Sequence, residues 1–592
     1  MSAWPCRSHP HAGESKIIDK CNPISSFSRI ISVLRRRQWL VLFRALGTRD
    51  RLLVLFFTTI AVGALCFWLG AIYMASTRVV PEYGGEYIEG LVSQPRYINP
   101  ILSQTSEADA NISALIYGGL FSYDAEGKLQ KNLVEDYTVS EDGKIYTLTL
   151  RQGVKWHDGE ELTAEDVLYT IRAIQDPAYK SPLRANWLSV EGATVDRYTL
   201  TLTLKKAYFG FLESLVVGIL PRHIWENIAP ENFLLADYNL EPIGSGPYRF
   251  YDLQKDSNGN VLSYELQPFP DYFAGAPYIG KITFHFYPDE RSLLDAYGRK
   301  EVLGINSVLP ENLPELEARK STRIYKVAIP RIFGVFFNVN KSVVLANDEV
   351  RKALSFATDR DAIIREVLSG MGSPAETAIL PFMSGYAADV SFPRFNEGEA
   401  NAVLDQDGWK RGDDGVRAKN GTVLEFELLV PDWPGLSKTA EILREQWGKV
   451  GARVTVNVLS ALDLQQSAVR PREYQAILFG EAAMLDSDPY SFWHSSQKHD
   501  PGLNLALFDN KDADAALLSL REELNEEKRN EYYRTFQEIL SRENPAVFLY
   551  SPTYLYAVNS SVKVAEVKYA NTPANRLGMI TQWYIKTKRV KK

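Results

Sequence analysis

Between Arg51 and Arg78 the chain runs for 26 residues without a charge, from Leu52 to Thr77. A bilayer core needs about 20 apolar residues, whereas a secretory leader core has about 7–15. The stretch therefore reads as a membrane-spanning helix, with a cleaved leader carrying an extended basic region as the alternative. Arg29, Arg35, Arg36, Arg37, Arg44, Arg49 and Arg51 crowd its N-terminal side. Basic flanks stay in the cytoplasm, so 1–51 is expected inside, 52–77 in the membrane and the remainder outside. Cys66 lacks a Leu three residues before it and a small residue just before it, so it reads as a membrane residue rather than a lipidation site.

Charge divides at the same place. Residues 1–78 hold 11 Lys+Arg against 3 Asp+Glu, which leaves 55 basic and 70 acidic residues for 79–592. An acidic outer part argues against nucleic acid as a partner, because phosphate binding requires a basic surface. Cys6, Cys21 and Cys66 are the only cysteines, so the outer part has no disulfide and no thiol chemistry. Its 514 residues must be held by a large apolar core.

Strand and helix signals alternate along that outer part. Ile145–Leu150 and Thr199–Leu204 alternate with a period of two, and 284–287 and 335–338 also read as strands. In 350–368, Val350, Ala353, Leu354, Ala357, Ile364, Val367 and Leu368 share one helical face, and 438–449 and 513–541 pass the same test. The class is α/β or α+β. The basic tail Lys586–Lys592 is expected to fray.

Catalytic signatures are missing: the chain has no HExxH, GxSxG or CxxC. Gly275 to Lys281 has phosphate-loop spacing, but Ile282 stands where a metal-binding hydroxyl is needed and Pro277 lacks an N–H. His494 and His499 lie five apart, a poor spacing for one helical face, so no metal site and no cofactor are assigned. His157, in a turn, reads as a structural residue bonded to backbone, and Thr163 as a helix cap. Asp486 and Asp488 could point the same way in an extended segment, as loop caps or as contacts to a ligand cation.

Six blocks taken in order carry a resemblance. They are the approach from Asn99-Pro100, LRQGVKWHDGEELTAEDV at 150–167, PIGSGPYRF at 242–250, VRKALSFATDRDAIIREVL at 350–368, AVLDQDGWKRGDDG at 402–415 and DPYSFWHSS at 488–496. Together they resemble the family 5 extracellular solute-binding proteins, the dipeptide-, oligopeptide- and nickel-binding group. The resemblance implies a two-lobed α/β clamshell like the periplasmic binding proteins, with an inserted third domain. Lobe I would comprise 79–116, 193–324 and 549–592, the insert 117–192, and lobe II 325–548.

It also implies a receptor rather than an enzyme. Such a receptor captures peptides or peptide-like solutes outside the cell and delivers them to the permease and ATPase of an ABC importer, with a monomeric outer part. The alternatives are another solute, such as an oligosaccharide or chelated nickel, or a sensor or scaffold not coupled to import. The implied ligand-binding positions are Gln104, Ser106, Trp433, Asp486, Asp488, Trp493 and His494. Relatives anchor the peptide amino group with an Asp four residues before the proline of the DP block. Here that offset falls on Leu485, and Asp486 is one residue away.

Overall fold

The computed structural model describes residues 45–592, so most of the expected cytoplasmic segment, including Cys6 and Cys21, lies outside the described residues. The chain divides into two compact units, one of residues up to Val80 with Lys588–Lys592, the other Pro81–Thr587.

The first unit is built on a 29-residue helix, Thr48–Ser76, with no buried residue. At 1.5 Å per residue it is about 44 Å long, close to the thickness of a bilayer with its headgroups. Its two adjacent threonine hydroxyls are satisfied internally, Thr58 donating to the Val54 carbonyl at 2.6 Å and Thr59 to Leu55 at 2.8 Å. The helix passes directly into the strand Thr77–Glu82, which pairs with Lys586–Lys591. The expected fraying of the tail is therefore corrected. Lys592 N–H donates to the Ser76 carbonyl at 3.0 Å, and Arg589 Nε to Thr77 Oγ1 at 2.9 Å.

The second unit has a twelve-stranded sheet whose centre is a single 14-residue strand, Ala546–Asn559. The start of that strand pairs with Arg331–Phe337, Val547 opposite Val335. Its end pairs with Thr322–Ala328, Tyr556 opposite Tyr325. The sheet thus belongs to two lobes joined by two crossings, Ala328–Arg331 and Tyr550–Thr553. Each crossing carries a proline, Pro330 or Pro552, which removes a ladder donor where the pairing changes partner.

Separate cores follow. Tyr87, Leu91, Ile282 and Phe284 belong to one core, in the first lobe. In the second lobe Val335, Leu428, Leu478 and Trp447 pack on one face of the sheet, and Ile332, Phe336, Ile477 and Trp493 on the other.

The inserted region is a four-stranded antiparallel sheet, Val134–Val139, Ile145–Leu150, Thr199–Leu204 and Val190–Thr194 in spatial order, with the helix Ala164–Gln175. Alternation places Tyr146, Leu148, Leu150, Leu200, Leu202 and Leu204 inside. The expected border at 192 is corrected, because it cuts the last strand and excludes Thr199–Leu204, which pairs with Ile145–Leu150. The border at 324/325 similarly falls inside Thr322–Ala328.

Asp166 closes the start of the insert helix, accepting from Thr163 N–H at 2.8 Å and from its hydroxyl at 3.0 Å. His157 fastens the preceding turn to the glycines of the PIGSG block. Its Nδ1 accepts from Gly244 N–H at 3.1 Å and its Nε2 lies 3.1 Å from the Gly246 carbonyl. Lys281 begins a strand and pairs with Glu86 at 2.8 Å, so no phosphate loop forms there.

Two expected helices are each divided. Residues 350–368 fold as Asp348–Phe356 and Arg360–Leu368, because Asp359 caps a new start and the Trp447 indole N–H takes the Leu354 carbonyl at 3.1 Å. Residues 513–541 fold as Lys511–Glu522 and Glu526–Glu543, the second capped by Asn525. The helix expected at 438–449 starts earlier, at Pro434, a residue suited to a first helical turn.

Candidate functional site

The seam between the lobes is formed by loops at the ends of these strands. From the second lobe, Ala476–Ala482 leads into the loop that carries Leu485, Asp486 and Asp488, followed by the short helix Tyr490–Trp493. Leu485 N–H donates to Asn571 Oδ1 of the first lobe at 2.6 Å. Asn571 Nδ2 in turn lies 3.5 Å from Glu213 Oε2, which also accepts from the Tyr123 hydroxyl. Leu485 packs where a Cβ on Gly127 would intrude, 2.5 Å from its Cδ1; Gly127 has φ +74. Phe382 stacks on Tyr569 with ring centroids 5.6 Å apart.

Beside this contact, the Arg521 guanidinium lies over the rings of Tyr208 and Tyr490, at 4.9 and 4.4 Å. Its Nε pairs with Asp488 Oδ2 at 2.9 Å.

The two loop aspartates thus differ in kind. Asp488 is occupied by Arg521 and also accepts from Tyr490 N–H at 3.2 Å. Asp486 forms no ion pair among the described residues. It lines a cavity of about 530 Å³ with Ser384, Tyr386, Arg529 and Tyr533. Burial lifts its carboxyl above the usual aspartate range, against a Ser384 hydrogen bond and the Arg529 charge. Glu213 is pushed up to about 7, chiefly by burial, with Tyr123 opposing and Asp486 adding to the rise. A half-buried acid without a counter-ion favours a bound cation or a proton.

The other expected ligand contacts are dispersed. Gln104 folds back, its amide donating to the Pro100 carbonyl at 2.5 Å. Ser106 caps the helix Glu107–Ile116. Trp433 is 46% exposed, stacked near Phe479 at 6.3 Å, at the start of Pro434–Lys449.

Trp493 requires correction: it is 1% exposed and packs among Phe336, Phe508, Phe536 and Phe548, so it is core rather than cleft wall. His494 is buried too, against the Tyr490 ring at 4.2 Å, with Nδ1 2.9 Å from Ser496 Oγ. Burial lowers its pKa and the neighbouring Asp514 opposes that shift. Among the described residues no group of three or more His, Cys, Asp or Glu side chains is placed to hold a metal ion.

Glu213, Tyr123, Asn571 and Arg521 were not singled out from the sequence. Glu213 carried the one available signal, an acid flanked by Phe211, Leu212 and Leu215.

Comparison with known proteins adds to this geometry. Residues 128–502 match "Bacterial extracellular solute-binding proteins, family 5 Middle". The oligopeptide-binding protein AppA of Bacillus subtilis is 27% identical over 526 residues, covering 85% of this chain and 92% of that protein. The dipeptide-binding protein of Escherichia coli is 26% identical over 498 residues, covering 79% and 90%. Among solved structures, AppA from Bacillus subtilis in complex with a nonapeptide superposes with TM-score 0.69 at 25% identity, covering 86% of this chain and all of that one. NikZ from Campylobacter jejuni in complex with Ni(L-His) gives 0.71 at 24%, covering 84% and 99%.

Proposed function

Since the chain belongs to the bacterial extracellular solute-binding proteins of family 5, we propose that it is a membrane-anchored receptor for peptide-like solutes bearing a cationic group. Asp486 is the observation that carries this reading. It is a half-buried carboxyl on a cavity without an ion-pair partner among the described residues, next to the contact between the lobes. A ligand ammonium satisfies that carboxylate, as two relatives named for oligopeptides and dipeptides suggest. Asp488, already paired with Arg521, orients the loop instead.

The helix Thr48–Ser76 holds the receptor to the cell membrane, and the basic flank keeps the N-terminus inside. Hinge motion at the two crossings opens the lobes to load and unload the solute. The receptor performs no catalysis, acts as a monomer and hands its cargo to the permease and ATPase of an ABC importer. We take the insert as 117–204 and the second lobe as running from the crossing at 328–331 to that at 550–553.

Native mass spectrometry of the detergent-extracted chain tests the ligand class. Release of peptides with free amino termini is expected. Co-purification of neutral sugars, or of nickel without an organic cation, would overturn the assignment.

A further inference from the structure

The outer end of the membrane helix carries a set of cations that solute capture does not use. Directly after Ser76, Thr77–Val80 and Lys588–Lys592 contribute Arg78, Lys588, Arg589, Lys591 and Lys592, with no acidic side chain in either segment. Arg589 is engaged with the helix end. It bonds Thr77 Oγ1 at 2.9 Å, the Met74 carbonyl at 3.3 Å and the Thr77 carbonyl at 3.4 Å, and lies over the Tyr73 ring at 5.8 Å. That arginine ties the tail to the last turn of the helix. The other four cations are exposed, and none forms an ion pair among the described residues.

Their depth is set by the backbone. Lys592 N–H bonds the carbonyl of Ser76, the last helical residue, at 3.0 Å. At about 3.4 Å per strand residue, Arg78, Lys591 and Lys592 lie within one or two residues of the helix end, and Lys588 lies about 14 Å along. The headgroup layer on each side of a bilayer is about 5–8 Å thick, and charge acts over a further 10 Å or so at 0.1 M salt.

We propose that this short sheet is a collar for anionic lipid headgroups, with Arg78, Lys588, Lys591 and Lys592 as its contacts and Arg589 as the residue that positions the strand. The proposal rests on the reading of Thr48–Ser76 as a membrane span. The partner is the membrane surface and not a soluble phosphate, because the cations flank the end of an apolar helix and are spread along two paired strands. The collar fixes the height of the tail at the bilayer, where basic segments near a span are drawn to negative lipid.

The test uses the full chain in nanodiscs of phosphatidylcholine alone or with 30 mol% phosphatidylglycerol, labelled with a water-soluble amine acylating reagent and read by peptide mass spectrometry. Labelling of Lys591 and Lys592 should slow about three- to tenfold in the anionic discs and recover in 0.5 M NaCl, while exposed Lys410 stays constant. The triple variant K588Q/K591Q/K592Q should lose the phosphatidylglycerol that the parent retains in native mass spectra. Equal labelling in both lipids, with equal lipid retention, would overturn the collar while leaving the anchor standing. Failure of the chain to enter nanodiscs would overturn both.

Discussion

Two buried glutamates, one in each lobe, are accommodated in opposite ways. In the first lobe Glu89 and Arg576 are both 0% exposed, 2.8 Å apart. The Tyr554 hydroxyl accepts from Arg576 Nε at 3.0 Å and the Tyr556 ring lies under the guanidinium at 5.5 Å. Burial opposes the charge on Arg576, but Glu89 and Tyr554 hold its proton and its pKa is raised. In the second lobe Glu481, 3% exposed, forms no ion pair among the described residues. Burial pushes its carboxyl up to about 8, against the pull of the neighbouring Trp493 indole. Glu89 meets a buried counter-ion, while burial without one favours the neutral form of Glu481. The matched pair packs against Tyr554 and Tyr556 of the long strand, and Arg576 opposes the rise that burial imposes on the Glu89 carboxyl. Glu481 and Asp486, which form no ion pair among the described residues, both lie in the lobe whose loop is proposed to meet the solute.

Removing one half of the matched pair should have the largest effect. Arg576→Ala leaves Glu89 buried and alone, a loss of about 3–5 kcal/mol that thermal melts would register. Restoring a neutral partner set with Glu89→Gln/Arg576→Gln should recover part of it. A single variant that melts with the parent would contradict the pairing.

The unmatched acid makes a pH prediction of opposite character. The folded pKa of Glu481 lies above its ordinary value of 4.5. The folded state therefore holds that proton more tightly, so its contribution is full below about pH 4.5 and is lost as pH rises through about 8. Glu481→Gln should match the parent near pH 5 and exceed it by about 2–4 kcal/mol at pH 9, taking 1.36 kcal/mol per unit. Parallel melting profiles from pH 5 to 9 would show that the carboxyl is not sealed.

The inserted region supplies a smaller counterpart. Burial depresses His157 to about 4. Its folded pKa lies below the ordinary 6.5, so the stability it contributes is present above that value and is lost as pH falls through 4. His157→Gln should blunt the acid-side loss by about 1–3 kcal/mol, at 1.36 kcal/mol per unit. A parent whose stability is flat from pH 7 to 4 would show that His157 is not held neutral by burial.

Much of the scaffold was legible because it depends on local pattern. Ile145–Leu150 and Thr199–Leu204 alternate cleanly, and the PIGSG block forms the bend that His157 fastens. What escaped depends on distant partners. Pro552 argues against a long strand, yet Ala546–Asn559 crosses both lobes because its two halves pair with different neighbours. The break at Asp359 is sharpened by Trp447, 88 residues later in the chain. At the site, Asp486 and Asp488 look alike in sequence, and only the approach of Arg521 separates them. Trp493 was misread because an aromatic beside a functional motif does not disclose which side of the sheet it fills.

The central claim is that Asp486 receives the cation of the solute. Its most direct test is calorimetric titration of the parent and Asp486→Asn with a peptide in free and N-acetylated forms. Loss of a charged hydrogen bond of about 1.5–3 kcal/mol corresponds to a roughly ten- to hundredfold weaker Kd. The account predicts that loss for the free peptide in the variant, weak and equal binding of the acetylated peptide by both proteins, and melting temperatures of the empty proteins that nearly coincide. Equal affinity of parent and variant for the free peptide would contradict it.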